Sequence, residues 1–231
     1  MLDISRIQAI TLDLDDTLWP IWPTIARAEE RLQQWLQPQA PATAELFANP
    51  DARQQLRDQV QLQWPHLQHD LSHMRKEMIR LGLGNCGEDQ DLAESAFEVF
   101  FAARHEVSLF DDAHVALQAL SARWPVLAVS NGNADVHRIG IGGYFCGSVS
   151  ARDAGAAKPD ARIFRAACET LGLEPQAILH VGDDAALDVL GALEVGMQAA
   201  WVNRNGHPWT HDAQPHATVA TMAELCTLLA L

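Results

Sequence analysis

Residues 11–20 read TLDLDDTLWP, so three aspartates, Asp13, Asp15 and Asp16, fall within four positions directly behind an apolar run. Carboxylates this close repel one another, and a chain that holds them together needs something positive for them to share. Further polar groups stand in comparable places. A second apolar run ends in Ser130-Asn131-Gly132, a loop carries Lys158-Pro159-Asp160, and a later run ends in Gly182-Asp183-Asp184, with Asp188 after it. Together these residue types suit the handling of a phosphoryl group. Asp13 and Asp183 can bind one hard cation through oxygen, and Mg2+ favours a few carboxylates completed by water and substrate phosphate. Ser130 and the backbone N–H groups behind it can donate to phosphoryl oxygens, while Lys158 adds a compact positive charge. One carboxylate can then attack phosphorus, and a second, kept protonated by its neighbours, can donate to the leaving oxygen.

Such residues must be carried to one place, and the patterning says how. Short apolar or β-branched runs at Ile7–Leu14, Pro125–Ser130, Cys146–Ser150, Ala177–Val181 and Gln198–Val202 are nearly continuous, as strands buried on both faces are. Helical periodicity lies between them at Ala113–Arg123, Asp160–Leu171 and Asp184–Leu193, stopped by Trp124-Pro125, Gly172 and Gly196. The alternation predicts an α/β fold, a Rossmann-like doubly wound parallel sheet with helices on both faces. Residues 19–108 break that rhythm. They are rich in Gln, Glu and Arg, with breaks at Pro38–Pro41, Asn49-Pro50, Trp64-Pro65 and Leu81–Gly87, and about four helices and no strand fit them. The reading is an α/β core of residues 1–18 and 109–231 with an all-helical domain, 19–108, inserted after the first strand. In open α/β sheets ligands bind at the carboxyl ends of the strands, and the chemistry-bearing residues follow those ends.

Asp13-Leu14-Asp15-Asp16-Thr17, Ser130-Asn131-Gly132, Lys158-Pro159 and Gly182-Asp183-Asp184…Asp188 resemble, in order, the four motifs of the haloacid dehalogenase-like hydrolase superfamily. The resemblance covers essentially the whole core, and segment 19–108 is similar to that family's helical cap. It implies that Asp13 is the nucleophile forming an aspartyl-phosphate, and that Asp15 is the acid for the leaving alcohol and then the base for water. Mg2+ would be held by Asp13, Asp183 and the backbone carbonyl of Asp15. Ser130 and Asn131 would bind phosphate, and Lys158 would neutralise Asp13 and the phosphoryl group. Thr17, Asp184 and Asp188 would support these groups, Asp188 by orienting Lys158 or a metal-bound water. Dehalogenases of the superfamily lack an acid at the Asp15 position and need no Mg2+, so Asp15 and Asp183 favour a phosphatase. The stretches SRIQAITLDLDDTLW, WPVLAVSNGNA and ILHVGDDAALDVLGALEVGMQAAWVNR look like the branch of bacterial flavin mononucleotide phosphatases. That branch also acts on the phosphorylated ribitylaminouracil of riboflavin biosynthesis. The alternatives are a phosphatase for a sugar phosphate, phosphoglycolate or nucleotide, a haloacid dehalogenase, or a phosphoacceptor signalling module. The last is disfavoured by the long insertion after the first strand and by Asp15, which a switch does not need.

Composition sets outer bounds. The chain has 231 residues, 48% of them hydrophobic, and a formal net charge of −14. Such acidity disfavours nucleic acid and anionic membrane surfaces as partners, so attraction for an anionic substrate must be local. The expected partner is a small phosphorylated metabolite, with the protein a monomer or homodimer. The four cysteines are scattered without metal-ligand spacing, and no apolar run approaches the ~20 residues needed to span a bilayer. A cytoplasmic protein with reduced thiols is expected.

Several residues invite sharper readings than they merit. Alternation along the strand end turns Asp16 away from Asp13 and Asp15, which gives it a turn role, and Thr17 is expected to bond the loop backbone. His66, His69 and His73 stand at i, i+3, i+7, as one polar face of a helix would place them. Trp19 and Trp22 could stack on a flat ring, although packing is their commoner use. Trp35 and Trp64 are read as helical-domain core, and His180 as a satisfied core histidine. Gly132 and Gly140–Gly143 fit no nucleotide-loop pattern and are read as turns.

Overall fold

A computed structural model describes all 231 residues. The chain separates into two compact units, Met1–Pro20 with Ser108–Leu231, and Ile21–Val107. No helix is long and apolar enough to cross a membrane, and none of the four cysteines is in a disulfide.

The first unit is built on six strands, β1 (Ala9–Leu12), β2 (Val126–Ser130), β3 (Gly147–Ser150), β4 (Ile178–Gly182), β5 (Gln198–Val202) and β6 (Ala217–Val219). They form one sheet in the order β3-β2-β1-β4-β5-β6, and every neighbouring pair is parallel. All residues of β1, β2, β4 and β5 are buried, as their unbroken apolar character requires. The strand order reverses beside β1, and this is where doubly wound sheets open a crevice at their carboxyl edge. The second unit consists of α1 (Ile21–Leu36), α2 (Pro41–Ala48), α3 (Pro50–Gln63), α4 (Leu71–Asn85) and α5 (Leu92–Arg104). Its own core joins Leu32, Leu36, Phe47, Ile79, Leu83 and Phe97, with Trp35 and Trp64 packed against it.

The helices covering the sheet are α6 (Ala113–Arg123), α7 (Val136–Ile139), α8 (Ala151–Ala154), α9 (Ala161–Leu171), α10 (Gly191–Glu194) and α11 (Met222–Leu228). Local chemistry fixes the ends of α9. The Asp160 side chain accepts the Arg162 N–H at its start, and Gly172 closes it in the left-handed region at φ +65°. The interior face of α9 carries Ile163, Phe164 and Ala167, packed with Leu127, Val129 and Ile178 of the sheet.

The structure revises several expectations. β1 runs only from Ala9 to Leu12, so Asp15 and Asp16 lie in a loop and strand alternation does not govern them. The helical unit has five α-helices where about four were expected, because the Asn49-Pro50 break separates α2 from α3 with no intervening loop. His66 sits in a short 3-10 turn at Pro65–Leu67, His69 lies before α4, and His73 is inside α4. The three therefore share no helix face. The helix expected over Asp184–Leu193 begins as a π-helical segment, Ala185–Leu190, and continues as α10. Strand β6 went unread because it is three residues long and half exposed.

Candidate active site

Asp13 is the first residue beyond β1, and its N–H still donates to the Val181 carbonyl at 2.9 Å, which locks it to the end of β4. Lys158, from the loop before α9, approaches from the other side. Both are buried, at 7% and 4% exposure. The ammonium uses all three of its N–H bonds: one to Asp13 Oδ1, one to Asp188 Oδ1 at 2.6 Å, and one to the Val129 carbonyl at 3.0 Å. The loop that carries it is held by Asn131. That side chain accepts the Lys158 N–H at 2.6 Å and donates to the Lys158 carbonyl at 3.0 Å. Asn131, expected to bind phosphate, therefore has its amide engaged in positioning the lysine. Ser130 ends β2, and its Oγ accepts the Gly132 N–H at 2.9 Å.

Asp188 is fixed on every side. Besides Lys158, its Oδ1 receives His180 Nε2 at 3.1 Å, and its Oδ2 receives the Asp184 N–H at 3.0 Å. The carboxylate lies against Gly182, where an added Cβ would stand 2.2 Å from Asp188 Cγ. Only glycine leaves that space. Asp184 itself is exposed. Its side chain accepts the N–H groups of Ala186 and Leu187 and so starts the π-helical segment that presents Asp188.

The loop after β1 is built with equal economy. Asp16 adopts the left-handed region at φ 59°, and its N–H donates to the Trp19 carbonyl at 2.8 Å. The turn brings Trp19 back so that its indole N–H donates to Asp15 Oδ1 at 2.9 Å. Trp19 is fully buried, so it packs and orients Asp15, and a stacking role is excluded. Trp22, in α1, is 76% exposed. The Thr17 hydroxyl is shared between two carboxylates, Asp183 Oδ1 at 3.0 Å and Asp13 Oδ2 at 3.3 Å, rather than bonding backbone as expected. The Thr17 carbonyl is held by Arg204 at 3.0 Å. Arg204 is itself paired with Asp112 at 3.1 Å and lies over the Phe110 ring. Trp201 of β5 donates its indole N–H to the Asp183 carbonyl at 2.6 Å.

Oxygens of Asp13, Asp183 and Asp188 lie within 4.8 Å of one another. Three carboxylates face one ammonium, and the electrostatics record the imbalance. Burial pushes Asp13 well above the usual carboxylate range, with Asp188 and Asp183 adding to the rise against the pull of Lys158. Burial, and then the Asp188 charge, raises Asp183 to about 7. Asp188 is held below its ordinary value, because Lys158 and His180 outweigh its burial. Lys158 is raised despite burial by Asp13 and Asp188, and burial lowers His180. The surplus amounts to two negative charges among oxygen donors, and a hard divalent cation matches it in charge and ligand type. Asp188 already accepts three hydrogen bonds. Asp13 and Asp183 are the carboxylates of the cluster left to hold a divalent cation.

A model of the haloacid dehalogenase-like hydrolases matches residues 7–196. The chain belongs to that family. Among this hydrolase's relatives is the 5-amino-6-(5-phospho-D-ribitylamino)uracil phosphatase YigB of Escherichia coli K12, 35% identical with 98% of each chain covered. The phosphoserine phosphatase of Thermus thermophilus is 31% identical, over 65% of this chain and 63% of its own. Among solved structures, a 2-haloacid dehalogenase from Pseudomonas syringae pv. Tomato DC3000 superimposes with a TM-score of 0.91. It is 35% identical, with 97% of this chain and 98% of that one covered.

For this hydrolase the sequence points to the groups at the strand ends and, through the resemblance, to Thr17, Asp184 and Asp188 as their supports. His180 is the buried, satisfied histidine expected, and Trp19 packs, as its commoner reading has it. Arg204, Trp201 and Gly182 were given no role. Only Gly182 left a usable signal, a glycine directly before an aspartate at a strand end.

Proposed function

We propose that this protein is a Mg2+-dependent phosphomonoesterase that hydrolyses a small phosphorylated metabolite through an aspartyl-phosphate on Asp13. The observation that carries the reading is the buried Lys158 held between Asp13 and Asp188, beside Asp183 and Thr17. A carboxylate oxygen of Asp13 attacks phosphorus in line with the leaving oxygen, which takes its proton from Asp15. Asp15 then removes a proton from water, whose oxygen attacks the same phosphorus and returns Asp13 as a carboxylate with release of phosphate. Lys158 and the Ser130 hydroxyl face the charge on the phosphoryl oxygens. Asp13, Asp183 and, as the resemblance implies, the Asp15 carbonyl would hold Mg2+, which would supply positive charge beyond that of Lys158.

A second reading, dehalogenation, is favoured by the name of the Pseudomonas syringae structure. A halide leaves as an anion and needs neither an acid nor a metal. Asp15, oriented by Trp19, and Asp183, raised to about 7 by burial and the Asp188 charge, would then have no task. They support phosphoryl transfer. Full-length similarity to the Escherichia coli enzyme supports phosphorylated ribitylaminouracil as substrate, and the resemblance of the motif stretches adds flavin mononucleotide as a candidate. We assign substrate choice to the helical unit, as a cap domain inserted behind the Asp13 loop, and location to the cytoplasm.

The test is hydrolysis of p-nitrophenyl phosphate with Mg2+ and with EDTA, by the wild type and Asp13→Asn, followed by a screen of phosphorylated metabolites. Activity should need both Mg2+ and Asp13. Metal-free halide release from 2-haloacids, with no phosphatase activity, would replace this reading by the second.

A further inference from the structure

We infer that His180 is a positioning residue for Lys158, acting through Asp188, and that Thr11 completes the hydrogen bonding of its other ring nitrogen; the inference rests on the phosphatase reading above. His180 lies in β4 directly beside Thr11 of β1 in the sheet register. Both side chains are buried, at 1% and 0% exposure. The ring nitrogens each have one partner, Thr11 Oγ1 on Nδ1 at 2.8 Å and Asp188 Oδ1 on Nε2 at 3.1 Å.

The chemistry of the partners settles where the proton sits. An ionised carboxylate only accepts, so Nε2 carries the hydrogen and donates to Asp188. A neutral imidazole with Nε2–H has a lone pair on Nδ1, and the Thr11 hydroxyl donates to it. The Phe164 ring, packed edge-on at 5.1 Å, holds the imidazole from the side.

The result is a directional chain, Thr11 to His180 to Asp188, with Lys158 donating to the same Asp188 oxygen and also to Asp13. A lysine side chain is long and flexible, and its ammonium is only as fixed as its acceptors. Asp13 changes its bonding during turnover, so Asp188 is the acceptor that must not move. His180 supplies the side-chain donor that keeps that oxygen in place.

The test uses p-nitrophenyl phosphate with Mg2+ and the variants His180→Phe, His180→Gln, Thr11→Val, Asp188→Ala and the His180→Phe/Asp188→Ala double. His180→Phe should lower kcat by about ten- to a hundred-fold, the range expected for one hydrogen bond to a charged group, with KM within about threefold. His180→Gln, which can still donate to Asp188, should recover most of that loss. In the Asp188→Ala background the same substitution should cost less than about twofold, because the path runs through Asp188. An equal loss in both backgrounds marks a merely structural role and overturns the inference, as does a folded His180→Phe with unchanged kcat. Should His180→Phe not fold, the near-isosteric Thr11→Val takes its place, with a loss of about three- to tenfold expected and no loss refuting. One readout is independent of hydrolysis. Long-range 1H–15N correlation at pH 7.5 should find His180 as the neutral Nε2–H tautomer, and an Nδ1–H or doubly protonated ring overturns the inference whatever the protein hydrolyses.

Discussion

Gly182→Ala adds a single methyl group, and its consequences can be worked from the structure. Gly182 is not in the left-handed region, so alanine meets no backbone penalty and any effect is steric. The new Cβ would stand 2.2 Å from Asp188 Cγ, 2.3 Å from Oδ2 and 2.7 Å from Cβ. Ordinary contact begins at 3.4 Å, so Asp188 must shift by about 1.2 Å. No direction is open to it. Towards Lys158 the 2.6 Å bond is already short, and a shift away from Lys158 and His180 breaks both that bond and the 3.1 Å bond from His180. Overpacking of this kind costs about 1–3 kcal/mol, which in a chain of this size lowers the melting temperature by roughly 2–4 °C per kcal/mol. Displacement of a catalytic constellation by about 1 Å costs on the order of a hundredfold in rate. The expected result is a folded protein, melting about 2–12 °C lower, with kcat on p-nitrophenyl phosphate down about a hundredfold. Wild-type kcat in Gly182→Ala would refute the claim that the placement of Asp188 controls the site, and an unchanged melting temperature would refute the close approach itself.

Three further perturbations address separate groups. Thr17→Val removes the hydroxyl shared by Asp13 and Asp183, and should weaken the Mg2+ requirement curve and lower kcat by about tenfold; an unchanged Mg2+ titration counts against the bridge. Trp19→Phe removes the donor to Asp15, and should slow alkyl phosphates more than p-nitrophenyl phosphate, since only poor leaving groups need the acid; equal slowing speaks against Asp15 as that acid. Asp183, raised to about 7 when metal-free, keeps its proton in the native state while the unfolded chain loses it near pH 4. Metal-free stability should therefore fall between about pH 4 and 7 and level off above. Melting curves should show a larger Mg2+ stabilisation at pH 8 than at pH 5.5, with the difference lost in Asp183→Asn; an equal or reversed difference in the wild type contradicts the raised carboxyl.

What the sequence disclosed and what it hid divide along a physical line. Asp13, Ser130 and Asp183 stand directly behind or at the ends of continuous apolar runs, and such runs have one structural use, a strand buried on both faces. The placement of these residues followed from composition over a few neighbours. The supporting groups depend on registers between distant segments. Thr11 meets His180 only because β1 pairs with β4 at that register. Arg204 reaches the Thr17 carbonyl across 187 positions of chain. Asp16 has the turn role expected of it, but for a local reason other than alternation, since the strand ends at Leu12 and a left-handed residue at 16 reverses the loop. His66, His69 and His73 mislead because their helical spacing runs across Asp70, which caps α4 and so leaves His66 in a separate 3-10 turn. Periodicity carries information only inside one element, and the caps decide where an element begins.

The same network explains why a lysine in this site needs two carboxylates. In the proposed reaction the Asp13 oxygen bonded to phosphorus loses its negative charge, and with Asp13 as sole partner Lys158 would be left cationic and buried without a counter-charge. Burial alone lowers the lysine, and Asp13 and Asp188 together reverse that. Asp188 does not take part in the chemistry, and its ionisation is secured by Lys158, His180 and the Asp184 N–H. It therefore supplies a permanent counter-charge while that of Asp13 comes and goes. Lys158 can then turn its charge towards the phosphoryl oxygens at the step where Asp13 withdraws, without becoming neutral and without leaving its place. In a chain of net charge −14, which repels an anionic substrate at long range, such a cation is useful only if it stays charged and fixed where the phosphate arrives.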